Sequence, residues 1–143
     1  GLPAVLDRLG QRTLLAMNSN KQDEFVGRLA EQLYAPGTFM AAEGFRTDRP
    51  GKPDPAAALD ILHRASVLLG CAVAPDACVY VGDSDNDLSM LKAAGVSVAM
   101  GNANERVRAS ARFETLPNDQ YGVAAAIRAI VFGEDVPGAI RKR

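Results

Sequence analysis

Short apolar runs alternate with amphipathic stretches along the chain, and this alternation limits the possible folds more than any other feature. Because the apolar runs are nearly continuous, they suit strands covered on both faces, as in a parallel sheet. The periodic stretches between them predict helices. The pattern therefore predicts an α/β fold with a mainly parallel sheet and flanking helices. The predicted strands are Thr13–Asn18, Thr38–Ala42, Cys78–Gly82, Val96–Met100 and Arg112–Leu116, and the predicted helices are Glu24–Tyr34, Pro55–Leu69, Asp87–Ala94, Ala103–Ala111 and Gly122–Phe132.

Two of the predicted helices begin with capping signals. Asp54 stands directly before Pro55, a combination typical of an N-cap followed by the first helical residue. Asn102 lies three residues before Glu105, which predicts a capping box at the start of the helix over residues 103–111.

Composition and charge exclude several classes of function. The 143 residues suffice for one buried core, and 16 basic against 17 acidic side chains give no field that favours nucleic acid or an anionic membrane. No apolar run approaches the roughly 20 residues that span a bilayer. Cys71 and Cys78 form no CxxC pair and are interpreted as packing residues of a reducing, cytoplasmic protein.

Residues 134–143 are predicted to be a loose tail, which leaves residues 1–133 as the core.

An acidic turn follows the third predicted strand in the stretch VYVGDSDNDLSML, which contains Asp83, Asp85 and Asp87. Ligands of parallel α/β sheets bind at such carboxyl ends of strands. Clustered carboxylates repel one another unless a cation joins them, and Mg²⁺ prefers oxygen ligands. The alternative is a solvated turn that caps the next helix. The turn is no EF-hand, because the required Gly and Glu are absent. Tyr80 is interpreted as a packing residue of the sheet.

Two further polar segments have the groups that a phosphate needs. Ser19 and Asn20 follow the first predicted strand, where a hydroxyl and backbone N–H groups suit a phosphate, although Ser19 alone also suits a helix N-cap. Lys52 lies in RPGKPDPA, and a single loop lysine is most often solvated. A hydroxyl, an ammonium and a metal-holding turn together are what a transferring phosphoryl group requires.

The order of these motifs resembles that of the haloacid dehalogenase superfamily of phosphatases and phosphotransferases. NSN is followed by GKPDP, and then by GDSDND with LSMLKAAG, so that the resemblance covers nearly the whole chain. It implies a Rossmann-like core in which Ser19 hydrogen-bonds the phosphoryl group with Asn20 nearby. It further implies that Lys52 pairs with the charge of the phosphate and the nucleophile. Asp83 would ligate Mg²⁺, and Asp87 would orient Lys52 or help to hold the metal.

The nucleophile of that family is missing from this sequence. Members of the family attack phosphate with an aspartate in a DxDGT motif on the first, central strand, and no such motif occurs here. The opening GLPAVLDRL resembles the helix just before the Ser19 strand, so the nucleophile strand and the main cap would precede it. Because a sheet without its central strand leaves buried backbone groups unpaired, we expect a separate or clipped N-terminal segment to supply the strand, or the sheet to be rearranged.

The sequence thus predicts a Mg²⁺-dependent phosphatase of small phosphorylated metabolites, of which this chain carries the phosphate-binding and metal-binding half. If a sugar hydroxyl accepted the phosphoryl group in place of water, the protein would be a sugar-phosphate mutase. A non-catalytic module that binds metal or phosphate, or assembles with a partner, is another alternative. A receiver-like domain is disfavoured, since its acidic residues precede its lysine in the chain.

Overall fold

The computed structural model describes residues 1–142, in which helices and strands alternate as predicted. This confirms the α/β class with parallel strands and flanking helices. The helices are α1 (Leu2–Gly10), α2 (Asp23–Leu33), α3 (Ala56–Leu69), α4 (Leu88–Ala93), α5 (Glu105–Ser110) and α6 (Gly122–Ala126), and the strands are β1 (Ala16–Gln22), β2 (Ala41–Phe45), β3 (Val79–Gly82), β4 (Val96–Ala99), β5 (Phe113–Glu114) and β6 (Arg141–Lys142). Short 3₁₀ turns lie at Pro75–Ala77, Asp85–Asp87 and Asn118–Gln120, and a π turn at Ile127–Val131 follows α6.

The chain divides into two compact units. One unit comprises Leu6–Ala74, and the other combines Gly1–Val5 with the chain from Pro75 onward. The prediction of one core across residues 1–133 therefore stays a prediction.

In the unit Leu6–Ala74, β1 and β2 form a parallel pair. The pairing runs in register from Ala16 to Asn18 and resumes at Gln22, which lies opposite Phe45. Residues 19–21 therefore form a bulge. The strand β1 begins three residues later than the predicted Thr13–Asn18, and its pairing with β2 continues into polar residues as far as Gln22. The strand β2 lies three residues after the predicted Thr38–Ala42.

Each helix of this unit buries only a few side chains. Ala57 and Ala65, two turns apart on one face of α3, are 4% and 6% exposed, and Val26 of α2 is 2% exposed.

In the unit from Pro75 onward, β3, β4 and β5 are parallel and β6 is antiparallel to β5. Val98 and Ala99 of the central strand β4 are fully buried. A helix-covered core forms on one side of the sheet, and its members are Leu88, Leu91, Ala99, Ala103, Val107 and Ala111, with Tyr80 packed against them.

The expected loose tail was wrong for part of its length. Ala139 is fully buried, and residues 141–142 extend the sheet as β6. The tail attaches because β5 offers an unpaired edge and Ala139 an apolar side chain. Arg143 lies outside the described residues.

One capping prediction is wrong, and the other is confirmed with the helix start shifted by one residue. The Oδ1 of Asn104 accepts a hydrogen bond from the N–H of Val107 at 3.0 Å, so α5 is capped by Asn104 and not by Asn102. The helix α3 begins at Ala56, one residue later than predicted, and the carboxylate of Asp54 accepts from the N–H of Ala56 at 2.9 Å.

The edge strands of both sheets include the strands that precede the predicted site residues. Within residues 1–142, β1 is hydrogen-bonded only to β2, and β3 only to β4. In the same part of the chain, no helix has both the length and the apolar character required to cross a bilayer.

Candidate functional site

The predicted site residues fall into two sets, one in each unit. Ser19, Asn20 and Lys52 belong to the unit Leu6–Ala74, and Asp83 and Asp87 belong to the unit from Pro75 onward.

The acidic turn folds back closely on the end of β3. A Cβ atom placed on Gly82 would lie 2.6 Å from the Cβ of Asp87, a distance that non-bonded carbons do not adopt. Glycine is therefore required at this position because the backbone and the side chain of Asp87 approach each other so closely. As a result Asp87 is only 3% exposed.

The buried carboxylate of Asp87 holds the turn together through hydrogen bonds. Its Oδ2 accepts hydrogen bonds from the N–H of Asp83 at 3.1 Å, the N–H of Ser84 at 3.1 Å and the hydroxyl of Ser84 at 3.2 Å. Its Oδ1 accepts a hydrogen bond from the hydroxyl of Tyr80 at 2.9 Å. These donors compensate the buried negative charge, which otherwise would be costly.

The other two carboxylates of the turn point to solvent and have separate partners. Asp83 accepts a hydrogen bond from Nδ2 of Asn102 at 3.2 Å, and Asn102 in turn accepts from the N–H of Asn118 at 3.0 Å. Asp85 accepts from Nδ2 of Asn104 at 3.1 Å. Each of the three carboxylates thus has its own hydrogen-bond donors. The repulsion between the carboxylates therefore does not by itself require a cation that all of them share.

Asp83 has the chemistry of a Mg²⁺ ligand. Its side chain is exposed, and its Oδ1 has no protein donor among residues 1–142. Mg²⁺ keeps several waters and is commonly held by one or two carboxylates, so a single outward carboxylate fits it. In the same residues, no group of three or more His, Cys, Asp and Glu side chains could hold a metal ion. The role of Asp87 in metal binding stays a prediction.

In the other unit, Ser19 lies in the bulge of β1. The half-buried hydroxyl of Ser19 accepts a hydrogen bond from the N–H of Lys21 at 3.2 Å. The bulge faces Gly44 of β2, where an added Cβ would lie 2.4 Å from the Cα of Asp23. Bulges re-aim side chains near functional sites, and this one displaces Ser19 from the regular pairing of β1.

Asn20 connects this bulge to the loop of Lys52. Its Nδ2 donates to the carbonyl oxygen of Lys52 at 2.8 Å, and its Oδ1 accepts from the N–H of Lys52 at 2.8 Å. A Cβ on Gly51 would lie 3.2 Å from the same Oδ1 and 2.9 Å from the ring of Phe45. The backbone of the Lys52 loop therefore lies close to both side chains. The structure therefore brings together two motifs that are 32 residues apart in the sequence.

An ion-pair network fixes the segment before Lys52. Glu43 of β2 is 5% exposed, accepts a hydrogen bond from Arg49 and forms an ion pair with Arg64 of α3. Arg64 also pairs with Asp60 at 2.8 Å, and Arg49 lies 3.5 Å from Asp60. A buried carboxylate needs such partners. The sequence analysis missed this network, although the i,i+4 spacing of Asp60 and Arg64 was a local signal.

A second ion pair lies within the same segment. Arg46 donates two hydrogen bonds to Asp48, at 3.0 and 2.8 Å, and these bonds hold the pKa of the Asp48 carboxyl below its usual range. Both side chains are largely exposed, so this pair adds local order to the loop and little stability.

Family models match most of the chain. Residues 1–95 match a model described as haloacid dehalogenase-like hydrolase, and residues 68–127 match a second model with the same description.

Individual relatives give a consistent result. A phosphoglycolate phosphatase of Pseudomonas putida is 37% identical over 98 residues, which are 66% of this chain and 34% of that protein. Phosphatase YwpJ of Bacillus subtilis is 53% identical over 51 residues, which are 36% of this chain and 18% of that protein. The chain thus spans about a third or less of these curated relatives.

Solved structures agree in fold. A protein of Lactobacillus delbrueckii subsp. bulgaricus, provisionally assigned as a phosphoglycolate phosphatase, is 26% identical with a TM-score of 0.65, over 88% of this chain and 52% of that one. Since the family model over residues 1–95 covers more than half of the chain, this chain belongs to the haloacid dehalogenase-like hydrolases.

Proposed function

We propose that this chain carries the phosphate-binding and metal-binding half of a Mg²⁺-dependent phosphatase that acts on small phosphorylated metabolites. The observation that carries the proposal is the pair of hydrogen bonds from Asn20 to the backbone of Lys52, since they join the two phosphate-binding motifs.

In this proposal the first half-site binds the phosphoryl group. The hydroxyl of Ser19 donates a hydrogen bond to a phosphoryl oxygen, and the ammonium of Lys52 offsets the negative charge that develops during transfer. Asn20 keeps Lys52 beside the bulge. The ion pairs of Arg49 keep the preceding loop in place, so that the lysine is positioned before the substrate arrives.

The second half-site binds the metal. Asp83 would hold Mg²⁺, which when bound neutralises charge on the phosphoryl oxygens. Asp87 supports Asp83 through the backbone N–H groups of the turn.

A DxDGT segment would complete the site. In the proposal this segment lies N-terminal to the present chain or on a separate polypeptide, and it supplies the aspartate that forms an aspartyl-phosphate. The open edges of β1 and β3 support the idea, because each could accept one more strand. A cytoplasmic location is part of the proposal, since Cys71 and Cys78 form no disulfide within residues 1–142.

The relatives favour hydrolysis over transfer to a sugar. Besides the phosphoglycolate phosphatase, a 5-amino-6-(5-phospho-D-ribitylamino)uracil phosphatase of Bacillus subtilis is 52% identical over 48 residues. Both names describe phosphatases of small metabolites, which supports water as the acceptor and makes a mutase the second candidate.

The test is complementation of a phosphatase assay. We expect the 143-residue chain alone to release almost no phosphate from p-nitrophenyl phosphate with Mg²⁺, because uncatalysed hydrolysis of phosphate monoesters is extremely slow. Addition of a DxDGT segment from a family phosphatase, as a peptide or a fusion, should produce turnover. A segment whose first aspartate is replaced by asparagine is the matched control.

Two results would contradict the proposal. Equal turnover with and without the segment would show that the nucleophile does not come from a DxDGT segment. Stabilisation against heat by Mg²⁺ without any turnover, even with the segment bound, would support a non-catalytic module.

A further inference from the structure

Tyr80 occupies an unusual place for a packing residue. It lies on β3, and its half-buried ring packs against the core of Leu88, Leu91, Ala99, Ala103, Val107 and Ala111. Its hydroxyl does not end in solvent but donates to Oδ1 of Asp87 at 2.9 Å. The ring is therefore anchored by the core, and its hydroxyl is a fixed donor at the base of the acidic turn.

This hydrogen bond limits the rotation of the Asp87 carboxylate. While Oδ1 is bound to Tyr80, Oδ2 faces the N–H groups of Asp83 and Ser84, each at 3.1 Å. Without the phenol, the carboxylate would lose the donor that fixes Oδ1, and the two backbone bonds to Oδ2 would weaken as it tilts about its Cβ–Cγ bond. The direction of the Asp83 side chain depends on that backbone.

We propose that Tyr80 is a positioning residue of the acidic turn, which acts through Asp87 to fix the backbone of residues 83–84 and thereby the direction of the Asp83 carboxylate. This inference rests on the proposed function in one respect, namely that Asp83 holds the metal. In this proposal Tyr80 touches neither metal nor substrate and acts through its hydrogen bond to Asp87.

The substitution Tyr80→Phe tests the link, because it removes the hydroxyl and keeps the ring in the core. In the 143-residue chain, we expect faster hydrogen exchange of the Asp83 and Ser84 amides, by about fivefold or more. Exchange at Val98 should stay unchanged, which shows that the sheet is intact. Tyr34→Phe is the matched control, since the Tyr34 ring is also half-buried and packs edge-on against Phe39.

A second arm measures the metal. In the chain complemented with the DxDGT segment, Tyr80→Phe should raise the Mg²⁺ concentration for half-maximal binding, measured by calorimetry, by about tenfold. The KM for the phosphate ester should change by less than about twofold, because the phosphate half-site is untouched. Tyr34→Phe should leave both values unchanged.

The outcomes separate the inference from the function. If the wild-type protein neither binds Mg²⁺ nor turns over, the proposed function fails, while the exchange data still report on the link itself. If the wild type binds Mg²⁺ and Tyr80→Phe binds it equally well, or the two amides exchange as slowly as before, the inference is overturned. Should Tyr80→Phe fail to fold, the hydroxyl proton of wild-type Tyr80 is observed directly by NMR, and exchange as fast as in free tyrosine contradicts the hydrogen bond.

Discussion

A single amide side chain holds the lysine loop to the first strand. Asn20 uses both its oxygen and its nitrogen on the backbone of Lys52, much as a neighbouring strand would. Because the side chain is exposed, each bond contributes at the lower end of the usual range, about 0.5–1 kcal/mol.

The substitution Asn20→Ala should therefore lower the free energy of unfolding by about 1–2 kcal/mol, measured by urea denaturation of the chain. The amide resonance of Lys52 should shift towards its random-coil position. Gln32→Ala, which removes an exposed amide from α2, is the control and should change the free energy by less than about 0.5 kcal/mol. An Asn20→Ala protein as stable as Gln32→Ala would show that the two bonds contribute nothing.

The sequence identified the residues of the site better than their contacts. Ser19, Asn20 and Lys52 stand in recognisable motifs, but the pairing of Asn20 with Lys52 joins positions 32 residues apart, and no local pattern encodes it. Asn102 and Asn104 illustrate the same limit. Both closely precede Glu105, but the Oδ1 of Asn102 accepts from the N–H of Asn118, whereas the Oδ1 of Asn104 accepts from the N–H of Val107 and caps α5.

At the scale of elements, glycines decide where segments can approach. Gly27 lies inside α2, and a Cβ at that position would meet nothing within 4 Å. Gly95 follows α4, and a Cβ there would lie 1.7 Å from the carbonyl oxygen of Asp76. In the sequence, both glycines simply lie in or next to a helix. Only the structure shows that the space for a Cβ is open at Gly27 and blocked at Gly95.

Alanine at these two positions should have opposite effects on stability. Gly27→Ala should raise the free energy of unfolding by about 0.5–1 kcal/mol, because alanine has the higher helix propensity. Gly95→Ala should lower it by about 3 kcal/mol, because the backbone of residue 76 must move. Chemical denaturation of both variants measures the difference, and effects of equal sign would contradict the close approach at Gly95.

Some helices and strands were predicted accurately, and others were not. The bounds of α2, α3, β3 and β4 lie within one residue of prediction, because apolar runs, apolar periodicity and end signals mark these elements locally. In contrast, α6 ends at Ala126 and not at the predicted Phe132. The bulge of residues 19–21 and the antiparallel strand β6 were not predicted. Both depend on what the neighbouring strand offers, and a single sequence does not contain that information.

At the scale of the whole molecule, the alternation of apolar runs and helices was sufficient to predict the class of fold. The order of the motifs predicted the family, and the family model that matches residues 1–95 agrees with this prediction. Within residues 1–142, β1 is hydrogen-bonded only to β2 and β3 only to β4, and a further strand supplied by a DxDGT segment stays a proposal.

The most direct test of the central claim compares variants of the two half-sites in the chain complemented with the DxDGT segment. Lys52→Ala and Asp83→Asn should each lower kcat/KM for p-nitrophenyl phosphate by about 100-fold or more, because each removes charge stabilisation at the phosphoryl group. Lys92→Ala, which removes an exposed lysine of α4, should stay within about twofold of the unaltered protein. If Lys52→Ala and Asp83→Asn are as active as Lys92→Ala, this chain does not carry the phosphate-binding and metal-binding half of a phosphatase.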